Sequence, residues 1–170
     1  MQTPRLVLLD LDETLLPTAT LTEIRHSGVE QPLADSPVYS QISLHPGIRE
    51  VVERLTSYTL VGIVSSSPRW YVHQILADHL SGIDFCVVVT YDDVNEIKPS
   101  AEPLETALRR TQMPVDDCAY VGDALVDQEA CLAIGMRFIA AGWARGADFA
   151  GTVPTASMPA DLLQLLVPVA

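Results

Sequence analysis

The chain has 170 residues, of which 48% are hydrophobic, and a formal net charge of -12. A chain of this length can bury one substantial core, which predicts a single domain over residues 1–170. The acidic balance disfavours binding to nucleic acid or to an anionic membrane surface, because both partners attract basic patches.

Short apolar runs alternate with stretches of helical periodicity along the chain. The first run predicts a strand at residues 6–9 and is followed by an irregular segment. The later pattern predicts, in chain order, a helix at 48–56, a strand at 58–64, a helix at 70–80, a strand at 85–89, a helix at 101–111, a strand at 119–121, a helix at 126–134, a strand at 137–140 and a short helix at 161–167. This alternation predicts an α/β fold with a Rossmann-like, doubly wound parallel sheet.

The irregular segment covers residues 15–44 and has no sustained helical or alternating period. A connection of this length in a compact domain is usually a functional loop or a small subdomain. We expect it to overhang the end of the first strand as a short, cap-like insertion. A disordered insertion is the alternative, and the sequence leaves both open.

Two carboxylates, Asp10 and Asp12, follow the first apolar run directly. In an open parallel sheet, ligands bind in the crevice beyond the carboxyl ends of the strands, so this pair is expected to face a site. An acidic turn that merely ends the strand is the competing interpretation, since Asp is common in turns.

Polar side chains of suitable kinds also follow the other predicted strands. They are Ser65 and Ser66 after the second, Lys98 beyond the third, and Asp123 after the fourth, with Asp127 one helical turn further on. Each has an ordinary structural interpretation as a turn, a solvated charge or a helix-dipole partner. Together, a hydroxyl, an ammonium and several carboxylates suit phosphoryl transfer, and oxygen ligands suit Mg²⁺.

The order and spacing of these residues resemble the four motifs of the haloacid dehalogenase superfamily. The matching positions are Asp10-Leu11-Asp12-Glu13-Thr14, Ser65, Lys98-Pro99 and Gly122-Asp123-x-x-x-Asp127. Flanking residues such as His45-Pro46-Gly47-Ile48-Arg49 look most like those of phosphoglycolate-phosphatase-type members. The resemblance covers nearly the whole chain and implies a Rossmann-like core and an aspartyl-phosphate mechanism.

By this resemblance each motif residue has an expected role. Asp10 is the nucleophile and Asp12 the general acid and base. The remaining assignments are phosphate binding by Ser65, Ser66 and Lys98, binding of Mg²⁺ by Asp10, Asp12 and Asp123, support of the metal site by Asp127, and bracing of the first loop by Thr14.

The expected function is a Mg²⁺-dependent phosphatase acting on a phosphate monoester, of a small molecule or of a larger substrate. A phosphotransferase of the same superfamily and a non-catalytic module that binds phosphate or a partner are the alternatives. A dehalogenase is disfavoured because that chemistry typically lacks an acid at the position of Asp12. The sequence gives no indication of the oligomeric state.

The expected compartment is the cytoplasm. The amino terminus reaches charged residues within its first dozen positions, so it predicts neither a signal peptide nor a membrane span. The three cysteines, Cys86, Cys118 and Cys131, have no metal-binding spacing and lie in or beside apolar runs. They are therefore predicted to be reduced core thiols.

Overall fold

The computed structural model describes residues 3–144, 149 and 153–167, in which strands and helices alternate. In chain order the elements are β1 (Leu6–Leu9), α1 (Thr22–His26), α2 (Ile48–Leu55), β2 (Leu60–Val64), α3 (Arg69–His79), β3 (Val87–Val89), α4 (Glu102–Thr111), β4 (Cys118–Gly122), α5 (Leu125–Ile134), β5 (Arg137–Ala141), β6 (Thr155–Ala156) and α6 (Asp161–Leu166). Each predicted strand and helix has a counterpart in this series, which confirms the α/β class.

The strands form one parallel sheet in the order β3-β2-β1-β4-β5-β6. Leu6 of β1 is in register with Leu60 on one side and with Cys118 on the other. The chain therefore winds outward from β1 in both directions, which is the doubly wound topology. Such a sheet has its topological switch point between β1 and β4, where ligands bind beyond the carboxyl ends of the strands.

Both faces of the sheet are covered, so β1 is apolar at every position. Val7 and Leu9 point into a core with α2, α3 and α6. Leu6 and Leu8 point into a second core with α4 and α5. All four side chains are at most 1% exposed, and burial on both faces explains why the strand reads as a continuous hydrophobic run.

Two details differ from the sequence-based expectations. Strand β6 was not predicted, because two residues are too few to show alternation; it pairs with the end of β5. The prediction that all three cysteines are core thiols was wrong for Cys86, which is exposed because β3 begins one residue later. Cys118 and Cys131 are buried, and all three thiols are free.

The segment at residues 15–44 contains α1 and short 3-10 turns at 19–21, 33–35 and 39–41. Apolar side chains anchor it, and Leu21 and Leu33 are fully buried. The backbone N–H of Leu33 donates to Gln74 Oε1 at 2.8 Å, and the Tyr39 hydroxyl donates to Asp78 Oδ2 at 2.7 Å. These contacts dock the insertion on α3, next to the switch point.

None of the described helices has the length and apolar character needed to cross a bilayer.

Candidate active site

The predicted polar residues meet at the carboxyl end of the central strands. Asp10 follows β1, Ser65 follows β2 and Asp123 follows β4. Asp10 and Asp123 line a cavity of about 250 Å³, to which the loop after β2 contributes Ser66 and Ser67. Its lining comprises Asp10, Asp12, Glu13, Arg25, His26, Ser66, Ser67, Ile97, Lys98, Asp123, Ala124, Val126 and Asp127. Four strand ends and the insertion thus contribute to one site.

A tight turn follows the two carboxylates at the end of β1. Glu13 has a φ of 63°, in the left-handed region that non-glycine residues rarely adopt. Its carboxylate accepts hydrogen bonds from the backbone N–H groups of Thr18 at 2.7 Å and Ala19 at 2.6 Å. His45 Nε2 lies 2.7 Å from the Glu13 carbonyl oxygen. These partners hold the strained turn that follows Asp12.

Asp10 is held by a buried lysine. Lys98 Nζ donates to Asp10 Oδ1 and to Asp127 Oδ1, both at 2.6 Å, and to the Tyr120 hydroxyl at 2.8 Å. These acceptors use the three protons of the ammonium. Burial by itself lowers the pKa of Lys98, but the carboxylates of Asp10 and Asp127 outweigh it and raise the pKa above its usual value. Lys98 is therefore a permanent cation that orients Asp10.

Negative charge is in excess at this site. Burial raises the pKa of Asp10 from 3.8 to about 8, with Lys98 opposing the shift and Asp127 and Asp12 adding to it. Burial likewise raises the pKa of Asp123 to about 6, against a hydrogen bond from Thr14. A further cation near these carboxylates would favour their ionised forms.

Thr14 connects the carboxylates that follow β1 and β4. Its Oγ1 lies 3.2 Å from Asp10 Oδ2 and 3.0 Å from Asp123 Oδ1, so its one proton can reach either. Trp143 Nε1 donates to the Thr14 carbonyl oxygen at 2.9 Å. The side chain expected to brace the loop thus also touches two of the expected metal ligands.

Asp12 faces a ring of hydroxyl groups. Its Oδ1 accepts hydrogen bonds from Thr18 Oγ1 and from the Tyr71 hydroxyl, both at 2.8 Å. Its Oδ2 accepts from Ser67 Oγ at 2.5 Å and from Ser65 Oγ at 3.4 Å. The carboxylate is thereby turned toward β2, α3 and the insertion.

Asp127 closes the opposite side of the site. Its Oδ2 accepts from the backbone N–H of Ala124 at 3.0 Å, which caps α5, while its Oδ1 accepts from Lys98. A Cβ at Gly122 would collide with the carboxylate of Asp127, so the strand must end in glycine for this approach. The aspartate thus fixes both the lysine and the loop that carries Asp123.

The carboxylates fit a divalent cation. Asp10, Asp123 and Asp127 each offer an oxygen, and these atoms lie within 4.8 Å of one another. A hard cation such as Mg²⁺ prefers this all-oxygen donor set, and the raised pKa values of Asp10 and Asp123 show the charge it would offset. The expected ligand set of Asp10, Asp12 and Asp123 stays a prediction, since Asp12 accepts from hydroxyl groups and Asp127 accepts from Lys98 and from Ala124 N.

The structure brings together all the residues singled out from the sequence. Ser66 lines the cavity, whereas Ser65 is buried and contacts Asp12. The site expected from the sequence does not include Arg25, whose Nη1 pairs with Asp12 Oδ1 at 2.6 Å, or Tyr71, whose hydroxyl donates to the same oxygen. The roles of all these side chains stay predictions.

Comparison with known families gives an independent result. The family described as haloacid dehalogenase-like hydrolase matches residues 28–141, which is well over half of the chain. The match begins downstream of Asp10 and Asp12, so it rests on the later motifs and the fold around them.

Curated relatives point the same way. A phosphoglycolate phosphatase of Xanthomonas campestris pv. campestris (strain 8004) is 34% identical over 106 residues, covering 61% of this chain and 48% of the relative. A phosphoglycolate phosphatase of Pseudomonas savastanoi pv. phaseolicola is 25% identical over 167 residues, covering 91% of this chain and 61% of the relative. The chain thus spans about half to three fifths of the length of these relatives.

Solved structures share the fold. A candidate phosphoglycolate phosphatase from Lactobacillus plantarum superposes with a TM-score of 0.80 at 23% identity, covering 96% of this chain and 100% of the other. CbbY from Rhodobacter sphaeroides, solved in complex with phosphate, has a TM-score of 0.72 at 20% identity, covering 94% and 96%. These structures show the shared fold, and the family match over residues 28–141 shows that the chain belongs to the haloacid dehalogenase-like hydrolases.

Proposed function

We propose that the chain is a Mg²⁺-dependent phosphatase that hydrolyses a phosphate monoester through an aspartyl-phosphate on Asp10. The main support is the position of Asp10, which is 6% exposed at the end of β1, lines the cavity, and is held by Lys98 Nζ at 2.6 Å. A carboxylate is a competent covalent nucleophile when its charge and orientation are fixed.

The proposed reaction has two steps. In the first, a carboxylate oxygen of Asp10 forms a bond to phosphorus, the ester P–O bond breaks, and Asp12 gives a proton to the leaving alkoxide. In the second, Asp12 takes a proton from water as the water oxygen bonds to phosphorus, which frees inorganic phosphate and regenerates Asp10. Splitting hydrolysis in this way replaces one difficult displacement with two easier ones.

The anionic phosphate must approach a negative site. Asp10 and Asp123 are the proposed holders of Mg²⁺, with Asp127 behind them and a contribution from the backbone at Asp12. Bound there, the cation would offset the repulsion between Asp10 and the phosphate and stabilise charge on the transferred group. Ser65, Ser66 and Lys98 are the proposed phosphate contacts; Ser66 lines the cavity, and Lys98 would exchange one of its present acceptors for a phosphate oxygen.

We propose a phosphorylated small molecule as substrate, since the cavity measures about 250 Å³ and curated relatives are phosphoglycolate phosphatases. The insertion at residues 15–44 would act as a minimal cap on a single domain, and the cytoplasm is the proposed compartment.

A panel of phosphate esters, assayed with Mg²⁺ and with a chelator, tests the proposal. Wild type should release inorganic phosphate and alcohol in equal amounts only with Mg²⁺, and Asp10→Asn should be inactive. Asp116→Asn, which removes an exposed carboxylate outside the cavity lining, is the matched control and should keep full activity.

Acid-quenched wild type should also carry one phosphoryl group by mass spectrometry, and Asp10→Asn should not. Turnover that survives both the chelator and Asp10→Asn would contradict the mechanism. Transfer of phosphate to an added alcohol in preference to water would indicate the phosphotransferase, and a folded protein that turns over no ester would indicate the binding module.

A further inference from the structure

Arg25 brings a positive charge from the insertion into the candidate active site. It lies in α1, its side chain is 15% exposed, and its Nη1 lies 2.6 Å from Asp12 Oδ1. It lines the same cavity as Asp10 and Lys98. Because Asp12 is the proposed proton donor to the leaving group, a cation paired with Asp12 faces the leaving-group end of the substrate.

Asp12 does not depend on Arg25 for hydrogen bonds. A carboxylate offers about four lone-pair positions. Hydroxyl groups already approach all of them, two on each oxygen: Thr18 and Tyr71 on Oδ1, and Ser65 and Ser67 on Oδ2. The guanidinium is an additional partner, so it can leave Asp12 without stranding a buried carboxylate.

Arg25 also has unused capacity. Its Nε is buried and has no hydrogen-bond partner among the described residues. A buried donor left unpaired is unfavourable, and an incoming acceptor would remove that cost. A guanidinium presents its donors in a planar fork that matches a carboxylate or phosphate group. An anionic ligand that accepts hydrogen bonds from both Nε and an Nη atom would therefore pair a donor that the contact with Asp12 leaves unpaired.

Lys98 is not in a position to bind a second anionic group of a substrate, one separate from the reacting phosphate. Its Nζ lies 2.6 Å from Asp10 Oδ1, and its side chain is 4% exposed. It can assist the reacting phosphate, which is bound beside Asp10. A negative group further along the substrate would instead meet the guanidinium of Arg25.

We propose that Arg25 determines substrate specificity by binding a second anionic group, a carboxylate or a second phosphate, on the leaving-group side of the ester. This group replaces Asp12 as the partner of the guanidinium, and Asp12 keeps its hydrogen bonds from hydroxyl groups. The inference rests on the proposed phosphatase function and narrows its substrates to small esters with two anionic groups.

Two matched pairs of esters test this role. Phosphoglycolate and ethyl phosphate differ by a carboxylate in place of a methyl group, and propane-1,3-diol bisphosphate and propyl phosphate differ by the second phosphate. Wild type should prefer the doubly anionic member of at least one pair by tenfold or more in kcat/KM. Arg25→Gln should reduce that ratio at least tenfold, and Arg25→Lys should reduce it less.

Arg69→Gln is the control, because Arg69 pairs with Asp93 and does not line the cavity. It should keep the wild-type ratio. An absence of preference in wild type, or an unchanged ratio in Arg25→Gln, would overturn the proposal; equal loss on both members of a pair would show that Arg25 acts only through Asp12.

If wild type hydrolyses none of the four esters, the phosphatase function fails and anion binding is tested separately. Calorimetry should then show phosphoglycolate binding to wild type at least tenfold tighter than to Arg25→Gln. Equal affinity of the two proteins, or no binding to either, would overturn the role of Arg25 as well.

Discussion

Lys98 and Asp127 form a buried ion pair in which Nζ and Oδ1 lie 2.6 Å apart. Their side chains are 4% and 1% exposed. Because Asp127 also accepts from Ala124 N at the start of α5, the pair links the loop after β3 to the loop after β4. Asp10, Lys98 and Asp123 thus share one support.

Breaking this pair should destabilise the fold. Asp127→Ala leaves the ammonium with fewer buried partners and should lower the free energy of unfolding by about 3–5 kcal/mol. Asp117→Ala, which breaks the more exposed pair with Arg5, should cost about 1 kcal/mol or less. Urea denaturation measures both. A loss of unfolding free energy in Asp127→Ala as small as that in Asp117→Ala would show that the pair between Lys98 and Asp127 does not support the site.

Stability without metal should depend on pH through Asp10. Its pKa is raised from 3.8 to about 8, so the folded state binds this proton more tightly than the unfolded chain does. The metal-free wild type should therefore lose stability relative to Asp10→Asn as pH rises from about 4 to about 8. Added Mg²⁺ should reduce the loss, because a cation favours the ionised carboxylate.

Thermal melts across that pH range, with a chelator and with Mg²⁺, measure the effect. Parallel curves for wild type and Asp10→Asn in the chelator would show that burial does not raise the pKa of Asp10 in this way.

Gly122→Ala should damage catalysis. The new methyl group would press on the carboxylate of Asp127 and displace Lys98 from Asp10. Misplacement of a reacting group by about 1 Å can reduce the rate 100-fold, so we expect kcat to fall at least tenfold. Gly82→Ala is the control: nothing lies within 4 Å of its added Cβ, and its positive φ predicts a cost in stability alone. Full activity in Gly122→Ala would contradict this account.

Tyr71→Phe should slow the reaction because it removes the hydrogen bond that the Tyr71 hydroxyl donates to Asp12. Tyr39→Phe is matched to it, since it removes the hydrogen bond from Tyr39 to Asp78 at 2.7 Å, away from the reacting groups. Each variant should lose about 0.5–1.5 kcal/mol of stability. Only Tyr71→Phe should lower kcat, by about tenfold if the lost bond is worth about 1.4 kcal/mol in the transition state. Equal kcat values in the two variants would show that the Tyr71 hydroxyl does not contribute to the reaction.

The sheet and the strand-end residues were predictable because their signals are local. Continuous apolar runs mark strands buried on both faces, and the polar residues after them meet wherever such strands are parallel. This reasoning placed Asp10, Lys98 and Asp123 at one edge of the sheet. The family match supports the same architecture.

The contacts of Arg25 and Tyr71 were not predictable, because they depend on how separate elements pack. Arg25 lies in an insertion without a clear period, and Tyr71 occupies a helical position that reads as core. The surroundings of Asp12 are partly nonlocal: Thr18 is six residues away, whereas Ser67 and Tyr71 come from a second part of the chain. No single window of sequence contains these partners.

The docking of the insertion on α3 has an evolutionary consequence. Gln74 and Asp78 hold the segment that carries Arg25, yet neither lines the cavity with the reacting groups. Substitutions at these two positions can shift the guanidinium while leaving every carboxylate in place. With Arg25 in its proposed role, substrate preference would therefore diverge among descendants of this chain through residues that touch no substrate, while the proposed reacting groups stay unchanged.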